Sequence, residues 1–442
     1  MSASTILFAN HVKEREERTA RALAETGFDR LLVHSGLPFT YFADDQDAPF
    51  RTTPHFAHWA PVEGPGHVLD YVPGKKPRIV RLVPRDFWYA PPSPAADFVR
   101  EVFDVVDVAT TEEVWRETQR APIGSHTAFI GRPESEAREH GVAPASINAL
   151  SLVKRLDWDR SYKTEYEEAT IAEANAKAAP GFAAAEKAFF GGASEMEIHH
   201  AYLDAVGCME EDLPYPTIIG LDERAATLHY YGKRETGAGN VLLIDAGARV
   251  RLYASDITRT FVTGDVEPVF GKLLEGMKAL QRRLALEARP PHPYLGLHVQ
   301  AHRLVAALLA ETGVVKVSAA EAFEKGLTLP FLPHGLGHLL GIQVHDVAGR
   351  QADRTGTSAP PPEQYPSLRT MRTIEERMIF TIEPGLYFIP MLLEPYREGR
   401  TRGAFDWPLI NRLVPCGGIR IEDNVCVGKD VNRNLTREVL PN

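Results

Sequence analysis

Over the first 160 positions, segments in which apolar and charged residues have helical spacing alternate with segments in which they have strand spacing. A charged stretch at 11–27 predicts an amphipathic helix, and the run "RLLVHS" at 30–35 predicts a short strand. Two apolar runs flank Pro-Gly-Lys-Lys-Pro within 66–83, which is typical of a β-hairpin. This part of the chain therefore predicts a small α/β domain.

A different pattern starts near residue 160. Thr164 and Glu167 have the spacing of a capping box, and an alanine-rich helical pattern follows them as far as Pro180. Ser194 and Glu197 repeat that spacing before a second helix. Further helical patterns fall at 267–288 and 297–313. The β-rich stretches lie at 215–220, 240–263, 378–389 and 418–428. We expect two domains, residues 1–160 and 161–442, the second of the α+β class.

Composition narrows the function classes. The 442 residues are 44% hydrophobic and 24% charged, and they contain no apolar run long enough to cross a bilayer. The amino terminus fits neither a secretory nor a transit signal, so a cytoplasmic location is expected. A formal net charge of −10 disfavours nucleic acid as a partner. The three cysteines form no CxxC pair, so any metal is expected on carboxylates and imidazoles.

Two aspartates lie in the stretch "NVLLIDAGARVRLYASDITRTFVTG" at 240–264. Asp245 ends an apolar strand pattern, and Asp256 comes eleven positions later, before another β-prone run. Two strands folded back around "GARVRL" would bring both carboxylates to one point, where burial is costly without a cation. Aspartates that cap turns are the alternative interpretation of the same pattern.

Two glutamates add to this pattern. Glu383 lies in the apolar stretch "MIFTIEPGLYF", and Glu422 takes an alternating position in "GGIRIEDNVCV". Arg420 is two residues from Glu422, so a salt bridge between them is an alternative for Glu422. With His338 from "PHGLGHLLGIQVHDV", the four carboxylates would form an oxygen-rich set suited to two divalent ions of the manganese class.

These segments together resemble a known family. The words "DAG", "YASDITRTF", "PHGLGHLLGIQVHDV", "TIEPGLYF" and "GGIRIEDNV" resemble the signature of the dinuclear-metal pita-bread peptidases, peptidase family M24. The chain length and the segment "LHYYGK" are most similar to the bacterial X-Pro dipeptidases (prolidases), whose relatives include organophosphorus acid anhydrolases. The resemblance is strong over about 160–430 and implies a small α/β domain followed by a pita-bread catalytic domain.

The resemblance also implies the role of each metal ligand. Asp245 would hold one ion, Asp256 and Glu422 would bridge both ions, and His338 and Glu383 would hold the other. Glu383 would in addition transfer the proton of the attacking water. At one position the chain departs from the family, because Leu252-Tyr253 stands where the family usually has Gly-Tyr.

Residues outside the ligand set receive roles from the same resemblance. His229 would contact the substrate near the scissile bond, and His345 would stabilise charge on the attacked carbonyl oxygen. His334 and Arg420 would hold the proline end and its free carboxylate, with a capping histidine before glycine and a structural ion pair as alternatives. We interpret His199 and His200 as solvated surface residues. Further substrate-binding candidates are Tyr215, Tyr294 and Trp88, the last within the aromatic cluster Phe87–Tyr89.

The activity implied is hydrolysis of X-Pro dipeptides by a hydroxide that bridges two metal ions, most simply Mn²⁺, in a homodimer. Side activity on organophosphate esters is a further implication of the resemblance. An X-Pro aminopeptidase or an organophosphorus acid anhydrolase would use the same ligands, so the ligands leave those alternatives open. A metal-free binding protein of the same fold is the alternative from another class.

Overall fold

The chain forms two compact units in the computed structural model, which describes residues 3–440. The first unit comprises the chain up to Arg160 together with Thr164–Glu167 and Asp353–Thr357. The second comprises Ser161–Lys163, Glu168–Ala352 and the chain from Ser358 onward. The main division between the units therefore lies beside residue 160, where the sequence pattern changes.

The first unit is built on a mixed sheet. Its elements are α1 (Ala3–Thr26), β1 (Arg30–His34), α2 (Pro54–Ala57), β2 (Val68–Tyr71), β3 (Arg78–Leu82), α3 (Asp97–Val102), β4 (Asp104–Val108), α4 (Thr111–Thr118), β5 (Thr127–Ile130), α5 (Glu134–Glu139) and α6 (Leu150–Arg160). The strand order is β4-β3-β2-β1-β5, with β1 parallel to β5, β3 parallel to β4 and the other pairs antiparallel. The predicted hairpin is confirmed as β2 and β3.

Helix α1 begins earlier than the charged pattern at 11–27 predicts. It starts at Ala3, and the side chains of Phe8 and Val12 are both buried. Residues four apart lie on one face of a helix, so these two apolar side chains extend the buried face ahead of the charged stretch. The first unit otherwise buries Leu32, Val80 and Phe129 of its sheet against α4.

The second unit mixes long helices with short sheets. Its elements are α7 (Glu165–Phe190), whose first turn belongs to the first unit, α8 (Glu195–Val206), β6 (Ile218–Leu221), β7 (Val241–Ala246), β8 (Arg249–Val250), β9 (Tyr253–Ala254), β10 (Ile257–Val262), α9 (Pro268–Glu287), α10 (Tyr294–Glu311), α11 (Ala319–Glu324), β11 (Ile379–Ile382), β12 (Gly385–Tyr387), α12 (Pro390–Glu398), α13 (Trp407–Leu413), β13 (Gly418–Arg420), β14 (Asp423–Cys426) and β15 (Arg433–Asn434). Across residues 3–440, every helix is too short or too polar to span a bilayer.

The sheet β10-β7-β6 is buried on both faces. Val241 and Leu243 of β7 belong to the apolar core that includes α9 and α10. Leu242 and Ile244, on the opposite face, belong to the core that includes α7 and α8. Successive strand residues point to opposite faces, so a strand covered by helices on both sides needs the unbroken apolar run "VLLI".

Helix α7 continues ten residues beyond the predicted end at Pro180 and stops at Phe190. Its capping box is confirmed, because Thr164 Oγ1 accepts from the Glu167 amide at 3.3 Å. A proline inside a helix removes one hydrogen bond and usually marks a break. Here Pro180 is exposed, whereas Phe182 and Ala185 are buried in the core beside β6 and β7. Burial of this apolar face outweighs the local cost of the proline.

Candidate metal centre

Strands β7 and β10 bring the two aspartates together. They pair antiparallel, with Asp245 opposite Thr258 and Ala246 opposite Ile257, so Asp256 immediately precedes the paired segment. The strands thus fold back as the sequence predicts. The side chains of Asp245 and Asp256 are 8% and 5% exposed and share one hydrogen-bond donor, the hydroxyl of Tyr215. Both carboxylates are therefore held at one buried point.

The turn between β8 and β9 is strained at the position where the family has glycine. Leu252 adopts φ +73°, and Arg251 beside it adopts φ +45°. The left-handed region is crowded for any residue with a Cβ atom, and glycine enters it without that clash. The turn keeps the conformation that glycine favours, and Leu252 is buried at 5% exposure.

The glutamates lie just beyond the ends of two strands. Glu383 follows β11, and Glu422 follows β13. The Glu422 amide donates to the Thr258 carbonyl at 3.0 Å, and the Thr258 hydroxyl donates to Glu422 Oε2 at 2.7 Å. These bonds to β10 place Glu422 beside Asp256. Glu383 is less enclosed, with 17% of its side chain exposed.

His338 completes the cluster from a loop. Its amide donates to the Thr381 hydroxyl at 3.1 Å, and the Thr381 amide donates to the His338 carbonyl at 2.9 Å. The His338 Nε2 atom lies 3.4 Å from Asp256 Oδ2 and 3.5 Å from Glu383 Oε1. One side-chain atom each from Asp256, His338 and Glu422 lie within 4.8 Å of one another. Such convergence is what coordination of a common cation requires.

The electrostatics of the cluster favour bound cations. Burial raises the pKa of Asp245 to about 6 and that of Glu383 to about 7. Burial and the nearby charges of Asp256 and Glu383 raise the pKa of Glu422 well above its usual value. Burial also opposes ionisation of Asp256, but the hydrogen bond and charge of His338 lower the pKa of this carboxyl. The chain thus supplies more negative groups here than it neutralises.

One oxygen of the cluster is left unsatisfied by the protein. Glu422 Oε1 is buried and has no hydrogen-bond partner among residues 3–440. A buried carboxylate oxygen without a donor is costly, and a cation would satisfy it. Four carboxylates and one imidazole also match the preference of hard divalent ions for oxygen. The residues present therefore fit a metal site.

Arg420 forms its ion pair with Asp245, not with Glu422. Its Nη2 donates to Asp245 Oδ2 at 2.6 Å, its Nη1 to the Tyr387 hydroxyl at 2.8 Å and its Nε to the Thr258 hydroxyl at 3.1 Å. The local spacing of Arg420 and Glu422 is misleading because β13 ends at Arg420, and Glu422 aligns with β10. All three guanidinium nitrogens are already engaged, and the residue is 5% exposed.

His334 is held in one tautomer. Its Nδ1 lies 2.8 Å from the Gly335 carbonyl oxygen, which only accepts, so Nδ1 carries the proton. Burial lowers the pKa of His334 to about 3, so the ring is neutral and its Nε2 accepts from the Tyr387 hydroxyl at 3.0 Å. Both ring nitrogens are thus occupied. The bond to the Gly335 carbonyl is compatible with the alternative prediction, a capping histidine before glycine.

A cavity of about 250 Å³ opens onto the cluster. The five predicted ligands line it, together with four of the other predicted site residues, His229, His334, His345 and Arg420. The ring of His345 lies edge-on to His338, with centroids 4.3 Å apart, and burial lowers the pKa of His345 to about 3. Sequence reasoning thus locates most of the cavity wall.

Three further candidates lie outside the cavity lining. Tyr215 contacts the aspartates through its hydroxyl, as described above. Tyr294 is fully buried, and its hydroxyl donates to the Thr381 carbonyl at 2.8 Å, so it supports the loop that holds His338. Trp88 belongs to the first unit and is 78% exposed. The hydroxyls of Tyr215 and Tyr294 thus contact groups that hold the cluster, and their contact with substrate stays a prediction.

The prediction that His199 is solvated is wrong. Its side chain is 5% exposed, and its Nδ1 lies 2.9 Å from the Thr217 hydroxyl. Consecutive residues of a helix point about 100° apart, so on α8 only one of the adjacent histidines faces the interior. His200, the other, is exposed as predicted.

Two residues near the site carry no signal that the sequence analysis recognised. Arg369 lines the cavity but is exposed, and it follows a proline-rich connection that resembles an ordinary surface loop. Tyr387 is fully buried and joins His334 to Arg420 through its hydroxyl. A tyrosine in an apolar strand is ordinarily interpreted as a core residue. Its position in "TIEPGLYF", four residues after Glu383, nevertheless indicates that it lies near the candidate site.

Comparison with known proteins gives the class to which this site belongs. Residues 169–429 match the model of metallopeptidase family M24, so the chain belongs to that family. Residues 6–158 match the model described as "Xaa-Pro dipeptidase, N-terminal domain". The resemblance found in the sequence is confirmed, and so is the class of fold that it implies.

Individual relatives extend this finding over the whole chain. The chain is 39% identical to the Xaa-Pro dipeptidase of Pseudoalteromonas atlantica and 40% identical to that of Photorhabdus laumondii, each over 438 residues and 98% of both chains. Among solved structures, proline aminopeptidase P II from Yersinia pestis matches with a TM-score of 0.73 at 22% identity, covering 98% of this chain and 96% of that one. Pseudomonas aeruginosa aminopeptidase PepP matches with a TM-score of 0.73 at 20% identity, covering 97% and 95%. These two structures share the fold.

Proposed function

We propose that this chain is a metal-dependent dipeptidase that hydrolyses X-Pro dipeptides and releases proline. The observation that carries the proposal is the convergence of five ligand candidates, four of them buried, on one cavity in a chain that matches Xaa-Pro dipeptidases over nearly its full length. A peptide bond to proline has no N–H to recognise. Recognition must therefore use the termini of the substrate and the shape of the proline ring.

Two divalent ions, most simply Mn²⁺, would be held by Asp245, Asp256, His338, Glu383 and Glu422. Bound there, they would supply Lewis acidity and bring the pKa of a coordinated water toward neutrality. The ion pair of Arg420 with Asp245 would fix the orientation of that ligand, as partners behind metal ligands commonly do. Tyr215 would do the same for Asp256 through its hydroxyl.

Within the cavity, Glu383 is the group placed to move the proton. It is the most exposed carboxylate of the five ligands and lies beside the open cavity. It would accept the proton of the attacking water and pass it to the proline nitrogen as the amide bond breaks. His345 is neutral and would donate a hydrogen bond to the carbonyl oxygen as negative charge develops there. His229 would contact the substrate on the same wall.

The free carboxylate of the substrate is better matched by Arg369 than by Arg420. Arg420 is buried and already uses three of its five N–H groups, with its charge paired to Asp245. The Arg369 side chain is exposed at the cavity and has no ion pair or hydrogen bond among residues 3–440. A guanidinium with free donors suits a carboxylate. We therefore assign selection of dipeptides over longer peptides to Arg369.

The test is hydrolysis of Ala-Pro, Ala-Pro-amide and Ala-Pro-Ala by the Mn²⁺-loaded enzyme and by Arg369→Ala. A charge-assisted hydrogen bond contributes about 1.5–3 kcal/mol, so kcat/KM for Ala-Pro should fall about ten- to a hundredfold in the variant. Hydrolysis of the amide should change little. Arg400→Ala, at an exposed arginine outside the cavity, is the matched control. Equal cleavage of Ala-Pro and Ala-Pro-amide by the unmodified enzyme would instead indicate an aminopeptidase.

We also propose a homodimer in which the first unit of one chain helps to form the site of the other. Phe87, Trp88 and Tyr89 are 86%, 78% and 73% exposed. Phe42 is fully exposed. Exposed aromatic clusters of this kind are typical of interfaces. Trp88→Ala should weaken the dimer in sedimentation and lower activity at dilute enzyme, whereas a fully active monomer would contradict this proposal.

A further inference from the structure

A lysine and an aspartate form a buried ion pair beside the loop that carries His345. Lys163 Nζ donates to Asp346 Oδ2 at 2.9 Å, and the two side chains are 1% and 2% exposed. Both residues belong to the second unit. Asp346 directly follows His345 in the chain, and His345 lines the catalytic cavity. The ion pair is therefore one residue away from the cavity wall.

His345 itself has no polar anchor. Its imidazole makes no hydrogen bond among residues 3–440, and its ring contacts that of His338 edge-on. A hydrogen-bond donor stabilises a transition state only if it is held where the charge develops. The orientation of His345 therefore depends on its packing against His338 and on the backbone that carries it.

The ion pair joins two backbone segments that are both fixed. The Asp346 amide donates to the Leu339 carbonyl at 2.8 Å, which closes the loop between these two residues. The Lys163 amide donates to the Arg377 carbonyl at 2.8 Å, and Arg377 Nε donates to the Lys163 carbonyl at 2.7 Å. Lys163 is thus a fixed point, and its side chain ties the end of the loop to that point.

The loop leaves room for this pair at Gly341. A Cβ atom at position 341 would overlap Asp346 Oδ2 and would lie 3.1 Å from Lys163 Cε. A buried ion pair stabilises a fold little better than apolar side chains of similar volume, because both charges lose their hydration. The position that the pair fixes therefore explains it better than the stability that it adds.

We propose that Lys163 and Asp346 are positioning residues that hold His345 where it can donate to the attacked carbonyl oxygen. This inference rests on the proposed function and adds to it two residues outside the cavity lining. The pair acts through His345 and not on the substrate. Because negative charge develops on that oxygen only in the transition state, loss of the pair should lower kcat and leave KM nearly unchanged.

The experiment measures kcat and KM for Ala-Pro with the Mn²⁺-loaded enzyme and with Asp346→Asn, which keeps the shape of the side chain and removes its charge. The variant should lose at least about tenfold in kcat, because a displacement of about 1 Å can cost about a hundredfold. Its KM should change less than about threefold. Bound metal per chain, measured by elemental analysis, should stay the same, which separates a displaced His345 from a damaged metal centre.

Further variants separate positioning from a general loss of structure. In a His345→Ala enzyme the donor is already absent, so adding Asp346→Asn should lower kcat no further. Lys163→Met/Asp346→Asn removes both charges and leaves no uncompensated lysine, so it gives the same comparison should Asp346→Asn fold poorly. Asp70→Asn, which removes the charge that faces Arg30 at 2.7 Å in the first unit, is the matched control and should keep its kcat.

The outcomes separate this inference from the proposed function. If the unmodified enzyme does not hydrolyse Ala-Pro, the proposed function is wrong and this inference falls with it. If Ala-Pro is hydrolysed and the folded Asp346→Asn enzyme keeps its kcat, only the positioning role is wrong. A loss confined to KM, or an equal loss in the presence and absence of the His345 side chain, would also overturn that role.

Discussion

Each unit buries a cluster of ionisable groups, and the two clusters differ in the groups that surround their carboxylates. In the first unit, Glu167 faces His58 at 3.2 Å and His11 at 3.9 Å, and Arg354 donates to Asp159 at 2.8 Å. Burial lowers the pKa of His58 and lowers that of His11 to about 4, so both imidazoles are neutral partners of Glu167, whereas Arg354 is a charged partner of Asp159. In the second unit, four carboxylates converge, and Arg420 pairs with only one of them.

This difference separates a structural network from a functional site. Buried charge is tolerated when opposite charge and hydrogen bonds compensate it. The carboxylate of Glu167 accepts from the Thr164 amide at 2.9 Å and that of Asp159 from Arg354 at 2.8 Å, so we call this cluster complete. The cluster around Glu422 is incomplete, because no group among residues 3–440 donates to the buried Glu422 Oε1. Burial of ionisable groups alone does not identify an active site. A buried acid that lacks a donor and converges with other acids on a cavity indicates a candidate site.

The largest expected effect concerns the incomplete cluster. Asp256→Ala and Glu422→Ala should each lower kcat/KM for Ala-Pro by more than about a hundredfold. A hundredfold is about the largest loss expected when the substituted residue only hydrogen-bonds to a metal ligand and does not bind the metal itself. Bound metal per chain should fall as well, as measured by elemental analysis. Cys208→Ala, outside both clusters, should behave as the unmodified enzyme. Near-normal turnover by the Asp256 variant would refute the ligand assignment, as would hydrolysis that survives removal of metal by a chelator.

The next effect concerns the complete cluster. Glu167→Gln removes the charge that faces two buried imidazoles and weakens the cap of α7. A hydrogen bond to a charged group contributes about 1.5–3 kcal/mol, so the unfolding midpoint in urea should drop when the Glu167 carboxylate is lost. The activity of the folded variant at saturating metal should remain. A variant with unchanged stability would show that the charge of Glu167 contributes little.

The same substitution in the incomplete cluster should have the opposite sign. Burial raises the pKa of Glu383 to about 7, so in the metal-free protein at pH 8 this carboxyl is ionised in an environment that disfavours its charge. Glu383→Gln removes that charge and should stabilise the metal-free protein by about 3 kcal/mol, since the pKa is raised from 4.5 to about 7 and one pKa unit corresponds to about 1.4 kcal/mol. With metal bound, the variant should be less stable than the unmodified enzyme.

The pH dependence of this effect has a definite direction. A raised carboxyl pKa means that the folded state binds more protons than the unfolded state between the ordinary value, 4.5, and about 7. The stability of the metal-free protein should therefore fall as the pH rises through that window, and Glu383→Gln should flatten the fall. The buried His11, with a pKa that burial lowers to about 4, contributes the opposite slope between about 4 and 6.5.

The smallest effect compares two helix caps. Ser194→Ala removes the cap of α8 and should cost about 1 kcal/mol of unfolding free energy. Thr164→Ala removes the cap of α7 and also the 2.8 Å hydrogen bond between Thr164 and His11. It should therefore cost more than the Ser194 variant in the same denaturation experiment. Equal losses would show that the bond to His11 adds nothing.

Much of the fold could be predicted because it depends on local spacing. Both capping boxes, the β2–β3 hairpin and the folding back of β7 and β10 follow from residues close in sequence. The end of α7 could not be predicted in this way. Pro180 is a local stop signal, and only the core beyond it, which buries Phe182, overrides that signal.

At the candidate site, too, features set by local sequence could be predicted and features set by tertiary contacts could not. The five ligand candidates are recognisable because acidic residues in apolar strands are rare and because the sequence motifs that flank the candidates are specific. The partners of these residues are not recognisable. Arg420 is two residues from Glu422 but pairs with Asp245, which is 175 positions away in the chain. Arg369 resembles any exposed arginine until the fold places it at the cavity.

The sequence by itself determined the types of metal-binding residue, the local elements that carry them and the family of the chain. These properties depend on side-chain chemistry and on residues that are close in sequence, both of which can be taken directly from the sequence. Only the tertiary structure decided which buried charges are neutralised, which tautomer His334 holds and that His199 is inside. Burial and charge pairing join residues far apart in the chain, so they exist only once the units have packed.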